Sequence, residues 1–211
     1  VKKVFPYILV IILSFTNLVL VNKLNTLKKS YSNINNQNQK ALIYELEDDI
    51  NKLLSNDSLK FLSEQQVIDK NIRLESINGE ELLLQDIITD KSKLIFMFSE
   101  LNCISCYEKI INDLNRHINV IGKENVLILA YYSNPRELYA FMRVNQIKCK
   151  VYNIESKSLG LMIDNENIPY LFLLDSSFKT NFMFIPDKKY TKLTEAYLNW
   201  IKKQLFNANA D

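Results

Sequence analysis

The sequence predicts an α/β sandwich, a mixed sheet with helices packed against it, and three observations carry that prediction. From Lys93 onward, short apolar runs alternate with amphipathic helical stretches. An Asn78-Gly79 pair between two strand-like runs marks a hairpin ahead of them. A second hairpin and a last helix close the chain, which gives the order ββ-βαβα-βα-ββα, with no internal repeat.

Composition narrows the function. Of 211 residues, 47% are apolar, enough for a packed core. The 26 basic and 24 acidic residues leave a net charge of +2 and are well mixed. No basic stripe with interleaved aromatics stands out, so nucleic acid is not an expected partner. Three glycines are too few for a Gly-rich phosphate loop, so nucleotide is not expected either. The three cysteines, Cys103, Cys106 and Cys149, are an odd and low count, unlike a disulfide scaffold.

Val4 to Val21 is free of charge and flanked by Lys2, Lys3 and Lys23. As a helix it would span roughly 27 Å, close to a bilayer's hydrocarbon core. Pro6 falls in its first turn, where the missing N–H is harmless. A cleaved signal is the competing reading, but Asn22-Lys23-Leu24-Asn25-Thr26 offers no small-residue cleavage pattern. An uncleaved anchor over residues 1–29 is therefore expected. Lysines on both sides leave the positive-inside rule undecided. A short basic tail before the first apolar run reads as an export signal, which places the remainder outside the cytoplasm.

Residues 30–70 read as linker and stalk. Ser30 to Gln39 is rich in Asn, Ser and Gln, as in a solvated linker. A helix is expected from Gln39 to Leu54, with Leu42, Ile43, Leu46, Ile50, Leu53 and Leu54 on one face. Ile43, Leu46, Ile50 and Leu53 fit a heptad seam too short to establish a coiled coil. Ser55-Asn56-Asp57-Ser58 is expected to break it.

The globular domain is expected over 71–211. Ile72–Ile77 and Glu80–Leu84 form the hairpin, and Lys93–Phe98 is a continuous apolar strand of the buried parallel kind. A helix from about Cys103 to Ile121 buries Ile110, Ile111, Leu114, Ile118 and Ile121 and stops at Gly122. Val126–Tyr132 is a second buried strand, and Pro135 opens a helix to Asn145. A short strand (Lys148–Tyr152) and a short helix (Glu155–Met162) follow. Pro169–Leu174 and Asn181–Ile185 form the last hairpin, and Thr191–Phe206 the last helix, burying Leu193, Tyr197, Trp200 and Ile201.

The chemistry concentrates at Cys103-Ile104-Ser105-Cys106, where a buried strand ends and a helix begins. Unsatisfied N–H groups and the helix dipole favour a thiolate on the first cysteine. In such motifs its pKa falls from about 8.5 to between roughly 3.5 and 7.5. Cys103 is then the nucleophile toward a disulfide, and Cys106, a turn along, resolves the mixed disulfide. Glu100 would serve as a proton acceptor if partly buried, although a solvated loop carboxylate is the preferred reading. Cys149 reads as a small core residue. His117, the sole histidine, lies roughly 16 Å of helix beyond Cys106 and cannot share a metal with the pair. Tyr131 and Tyr132 end a strand at the sheet edge and line a groove at most.

From about Asn71 onward the chain resembles the thioredoxin-like redoxins that bacteria tether to a membrane by an N-terminal helix. The strand–loop–Cys-x-x-Cys–helix unit, the Asn-Gly hairpin and Ile168-Pro169 before a later apolar strand carry the resemblance. It implies a thioredoxin-like fold, a central mixed sheet with helices on both faces, and a cis proline at Pro169 packed against the thiols. Ile168 would then offer its backbone to an incoming peptide. It also implies protein disulfides as substrates, no cofactor beyond the Cys103–Cys106 couple, and a reductase fed by a membrane electron donor. Asn102 and Ser105 depart from the family, which favours an aromatic and a proline at those positions. A Cu(I)-binding module on the same fold would add a histidine near the site, which this chain lacks. Peroxiredoxins carry Thr or Ser and Pro where this chain has Glu100 and Phe96. A redox-inactive scaffold sits poorly with the intact Cys103, Cys106 and Pro169.

Overall fold

Between Pro6 and Gly79 the sequence contains neither glycine nor proline, and one helix, α1 (Phe5–Ser63), fills most of that interval. The computed structural model describes residues 5–208, with side chains described except at 5–19, 30–36, 38, 106 and 206–208. The expected linker at Ser30–Gln39 and the expected break at Ser55–Ser58 are both helical. Ser, Asn and Gln cost only a few tenths of a kcal/mol each in a helix, about 0.7 at most, and without a breaker the flanking runs propagate through them. Among the described residues no helix is long and apolar enough to cross a membrane. The run Val4–Val21 lies outside the described side chains, save Leu20 and Val21.

The chain divides into two compact units, Val1–Leu54 and Ser55–Asp211. In the first, Leu42, Ile43, Leu46, Ile50 and Leu53 are all exposed on α1. The second begins ahead of the boundary expected at residue 71, because the end of α1 and the segment after it are tied to the sheet.

That sheet has seven strands in the order β2-β1-β5-β4-β3-β6-β7. They are β1 (Arg73–Glu75), β2 (Glu81–Leu83), β3 (Lys93–Ser99), β4 (Val126–Tyr131), β5 (Lys150–Ile154), β6 (Tyr170–Leu174) and β7 (Thr180–Phe184). β3, β4 and β5 are parallel; β6 and β7 continue the sheet antiparallel from β3, and the β1–β2 hairpin does so from β5. Gly79 turns the first hairpin at φ 77°, a backbone state that costs glycine nothing. Its register pairs Arg73 with Leu83 and Glu75 with Glu81.

The central strands bury both faces, as their unbroken apolar runs require. On one face lie α3 (Ile104–Ile121), α4 (Pro135–Val144) and α5 (Thr191–Ala208), burying Ile111, Leu114, Leu138, Leu198 and Ile201. Short pieces cover the other face: Ile68, α2 (Leu84–Ile87) and a 3-10 turn at Met162–Glu166. The long helices thus share one face, where helices on both were expected. The expected helix at Glu155–Met162 is mostly loop, because Gly160 takes φ 88° and Asp164 gathers the surrounding N–H groups. In α5 the buried stripe is Thr194, Leu198, Ile201 and Leu205, leaving Leu193 and Trp200 exposed rather than buried.

β7 is an outermost strand, and residues 63–68 occupy its outer edge. Gln65 N donates to Thr180 O (2.8 Å), Thr180 N to Gln66 O (2.9 Å) and Ile68 N to Phe178 O (2.9 Å). The Glu64 carboxylate accepts from Phe182 N (2.5 Å) and Met183 N (2.9 Å). Phe182 has φ 59° beside a register shift between β6 and β7. Its carbonyl accepts from Tyr197 OH (2.9 Å), and its ring meets Trp200 edge-on at 4.7 Å. Buried Ser63 joins this edge to the 3-10 turn: its carbonyl accepts from Thr180 Oγ1 (2.6 Å) and its hydroxyl from Ile163 N (3.2 Å).

Candidate active site

β3 delivers the chain to a tight turn at Ser99–Asn102. Asn102 N donates to Ser99 O (3.0 Å), and Asn102 Oδ1 accepts from Ser99 N (2.7 Å). This reciprocal pair sets Cys103 at the N-cap of α3. Cys103 is exposed, and so are its neighbours Leu101 and Ile104. Its sulfur lies 3.2 Å from Ser105 Oγ. A thiolate has no proton to give, so in that state the Ser105 hydroxyl donates and favours the charged form. The first-turn N–H groups and the helix dipole act in the same direction. Cys106 stands in that first turn, and its side chain lies outside the described set.

The loop ahead of β6 meets this turn. Asn102 Nδ2 donates to Asn167 O at 2.6 Å, and Ser99, Asn102, Lys157, Asn167 and Ile168 line one narrow cleft. Asn167 ends the 3-10 turn in the left-handed region (φ 49°, ψ 45°), which asparagine tolerates better than most residues. Asp164 holds the same turn from behind. Its carboxylate accepts from Ser158 Oγ (2.9 Å), Leu159 N (2.9 Å), Leu161 N (2.8 Å) and Tyr170 OH (2.5 Å). Ile168 is therefore brought beside the thiol turn. The cis bond implied for Pro169 is not found: among the described residues no peptide bond is cis. The left-handed Asn167, not the proline, turns the chain into β6, and Pro169 follows it buried and trans.

Beneath the start of α3 lies an aromatic floor. Phe98 stacks on Tyr107 at 4.7 Å and meets Tyr132 edge-on at 6.2 Å, and Tyr107 meets Phe141 at 5.2 Å. Tyr107 OH and Tyr132 OH are 3.3 Å apart. Burial first, then the Tyr107 hydroxyl, pushes the Tyr132 phenol well up, so it stays neutral. Asn153 exchanges two hydrogen bonds with the Tyr132 backbone (2.9 and 3.0 Å) and pins the end of β4.

Glu100 is half-buried, and its Oε1 accepts from Ser133 N at 3.2 Å, joining the ends of β3 and β4. Cys149 sits just before β5, packed against the helical face, and burial pushes its thiol up to about 12. His117 Nδ1 bonds to Asp113 O (2.9 Å) within its own helix. Among the described residues no group of three or more His, Cys, Asp or Glu side chains could hold a metal ion. Sequence reasoning overlooked Tyr107 and Asp164, and read Asn102 only as a departure from the family pattern. For Asn102 a signal existed, since a small polar residue just before a helix commonly closes a turn.

No family model and no curated protein matches the sequence. Solved structures do match. A bacterioferritin comigratory protein from Xanthomonas campestris, described for its alkyl peroxide reduction activity, aligns with TM-score 0.50 and 12% identity, covering 64% of this chain and 93% of its own. The thioredoxin domain of a thiol-disulfide oxidoreductase from Bacteroides vulgatus gives 0.49 and 12%, covering 65% and 99%. A thioredoxin-like protein from Porphyromonas gingivalis gives 0.49 and 17%, covering 68% and 93%. At such identities a likeness speaks for the fold alone. With a Cys-x-x-Cys helix leaving β3 and β6–β7 antiparallel beside it, residues 55–208 form a thioredoxin-like α/β fold.

Proposed function

We propose that this chain is a thiol–disulfide oxidoreductase that acts on protein disulfides. The observation that carries the reading is Cys103, exposed at the N-cap of α3 with a hydroxyl 3.2 Å from its sulfur. Cys103 thiolate attacks one sulfur of the substrate disulfide, that S–S bond breaks, and the departing thiolate takes a proton. Cys106, as thiolate, then attacks the Cys103 sulfur. The mixed disulfide breaks, the substrate leaves as a dithiol, and its two electrons have come from the Cys103–Cys106 pair. The working direction is reduction, by the resemblance to tethered redoxins, with a membrane protein returning electrons to the pair. Val4–Val21 tethers the domain on the outer side of the membrane.

Cys106→Ser tests the chemistry. It should accumulate mixed disulfides with partner proteins, visible on non-reducing gels and lost with reductant, while Cys103→Ser traps few. If Cys106→Ser forms no adducts with oxidised protein substrates, the reading is wrong. Titration against glutathione sets direction, since a couple near or below about −270 mV is a reductase and one near −120 mV an oxidant. An impermeant thiol reagent on intact cells should label the reduced pair, and protection until the membrane is permeabilised would reverse the topology.

A further inference from the structure

Asn102 is only 6% exposed, and beyond holding the turn that presents Cys103 it takes no part in the bond-making steps just described. Its amide is divided between two segments. The oxygen accepts from Ser99 N at 2.7 Å, inside the turn that presents Cys103. The nitrogen donates at 2.6 Å to Asn167 O, in the loop that carries Ile168. These segments are far apart in sequence, and this hydrogen bond joins them directly. An amide carries its acceptor and its donor on separate atoms, so it can accept from one segment and donate to the other at once.

We infer that Asn102 is a positioning residue that holds the Asn167–Ile168 backbone at a fixed distance from Cys103, so that an extended peptide bearing a disulfide can lie against that backbone while its sulfur meets the thiolate. The inference rests on the oxidoreductase reading, with the peptide placed as the redoxin resemblance implies, and adds the side chain that holds that backbone in place. Asp164 fixes the far side of the loop through Tyr170 and the Leu159 and Leu161 N–H groups, so Asn102 supplies the near side. Loss of the clip lets the loop drift without altering the N-terminus of α3. Peptide docking therefore suffers, and the intrinsic reactivity of Cys103 does not.

Asn102→Asp is the discriminating variant. The carboxylate still accepts from Ser99 N but has no proton for Asn167 O, and it faces that carbonyl with like polarity. With the full chain in detergent, reduction of insulin disulfides should lose about tenfold in kcat/KM, through KM rather than kcat. Measured on the plateau of its pH profile, Cys103 alkylation by iodoacetamide should stay within about twofold, and the added carboxylate beside the thiolate should only move that profile to higher pH. Hydrogen exchange should quicken at the amides of residues 166–168 and not in the body of α3. Asn102→Ala, which loses both bonds, should also destabilise the turn and slow alkylation. An unchanged insulin KM, or unchanged exchange at 166–168, would overturn the clip. So would equal losses in insulin reduction and alkylation, which a purely structural role predicts. If wild type reduces no insulin and Cys106→Ser traps nothing, the oxidoreductase reading fails instead, and the exchange measurement still decides whether the clip exists.

Discussion

Cys103 stands at the N-cap of α3, exposed, with the Ser105 hydroxyl beside its sulfur, whereas Cys149 packs against the helical core just before β5 with its thiol pushed up to about 12. The same side chain is a candidate nucleophile in one place and a small apolar filler in the other. Hydration and local dipoles make the difference, since each pKa unit is worth about 1.4 kcal/mol between the charged and neutral forms. A cysteine count alone could not have separated them; the neighbouring strand and helix could.

The widest gap should appear in alkylation. Near pH 8 the Cys149 thiolate fraction is on the order of 10⁻⁴, so iodoacetamide should modify Cys103 at least about a hundredfold faster. Peptide-resolved mass spectrometry over time would measure it, and urea should erase the gap. Comparable rates in the folded protein would mean that Cys149 is not buried as described. Removing the floor under Cys103 comes next. Phe98→Ala empties a site that is 1% exposed, which should cost about 3–5 kcal/mol in urea unfolding.

The pH dependence of stability gives a finer reading of Cys149. The folded thiol keeps its proton up to about 12, while the unfolded one loses it near its ordinary 9.0. Between those values the unfolded state binds fewer protons, so stability falls as pH rises, and the contribution is whole below that window. Wild type should therefore lose stability more steeply than Cys149→Ala above pH 9, by up to about 1.4 kcal/mol per unit, and equally below it. Parallel curves would refute the buried neutral thiol. The smallest effect belongs to Tyr107→Phe, which removes the hydroxyl 3.3 Å from that of Tyr132 and should cost about 1 kcal/mol by thermal unfolding.

Much of this was legible in the sequence. The apolar runs at 93–98 and 126–132 became β3 and β4 within a residue or two, because strands buried on both faces leave little freedom in composition. The Cys-x-x-Cys position at a strand-to-helix junction was equally plain. Other features depended on partners distant in sequence. Nothing local shows that Asp164 will collect four donors and unwind the stretch before it, or that Asn167 will take a left-handed conformation and leave Pro169 trans. Asn102 looked like a departure from a family pattern because its value lies in the carbonyl it meets across the fold. Ser55–Ser58 looked like a break because turn formers are read locally, whereas helix propagation needs only the absence of a stronger breaker.

The strip laid along β7 by residues 63–68 has a consequence for how the protein behaves in solution. An uncovered outer strand is a template for pairing with another chain, and here its free amides are consumed by Gln66 O and the Glu64 carboxylate. The opposite edge, β2, is only 3 residues long and presents little to copy. A shortened chain beginning at residue 71 would keep all seven strands and every thiol, yet it would bare the β7 edge. Such a fragment should self-associate and precipitate, while one beginning at residue 55 should stay dispersed.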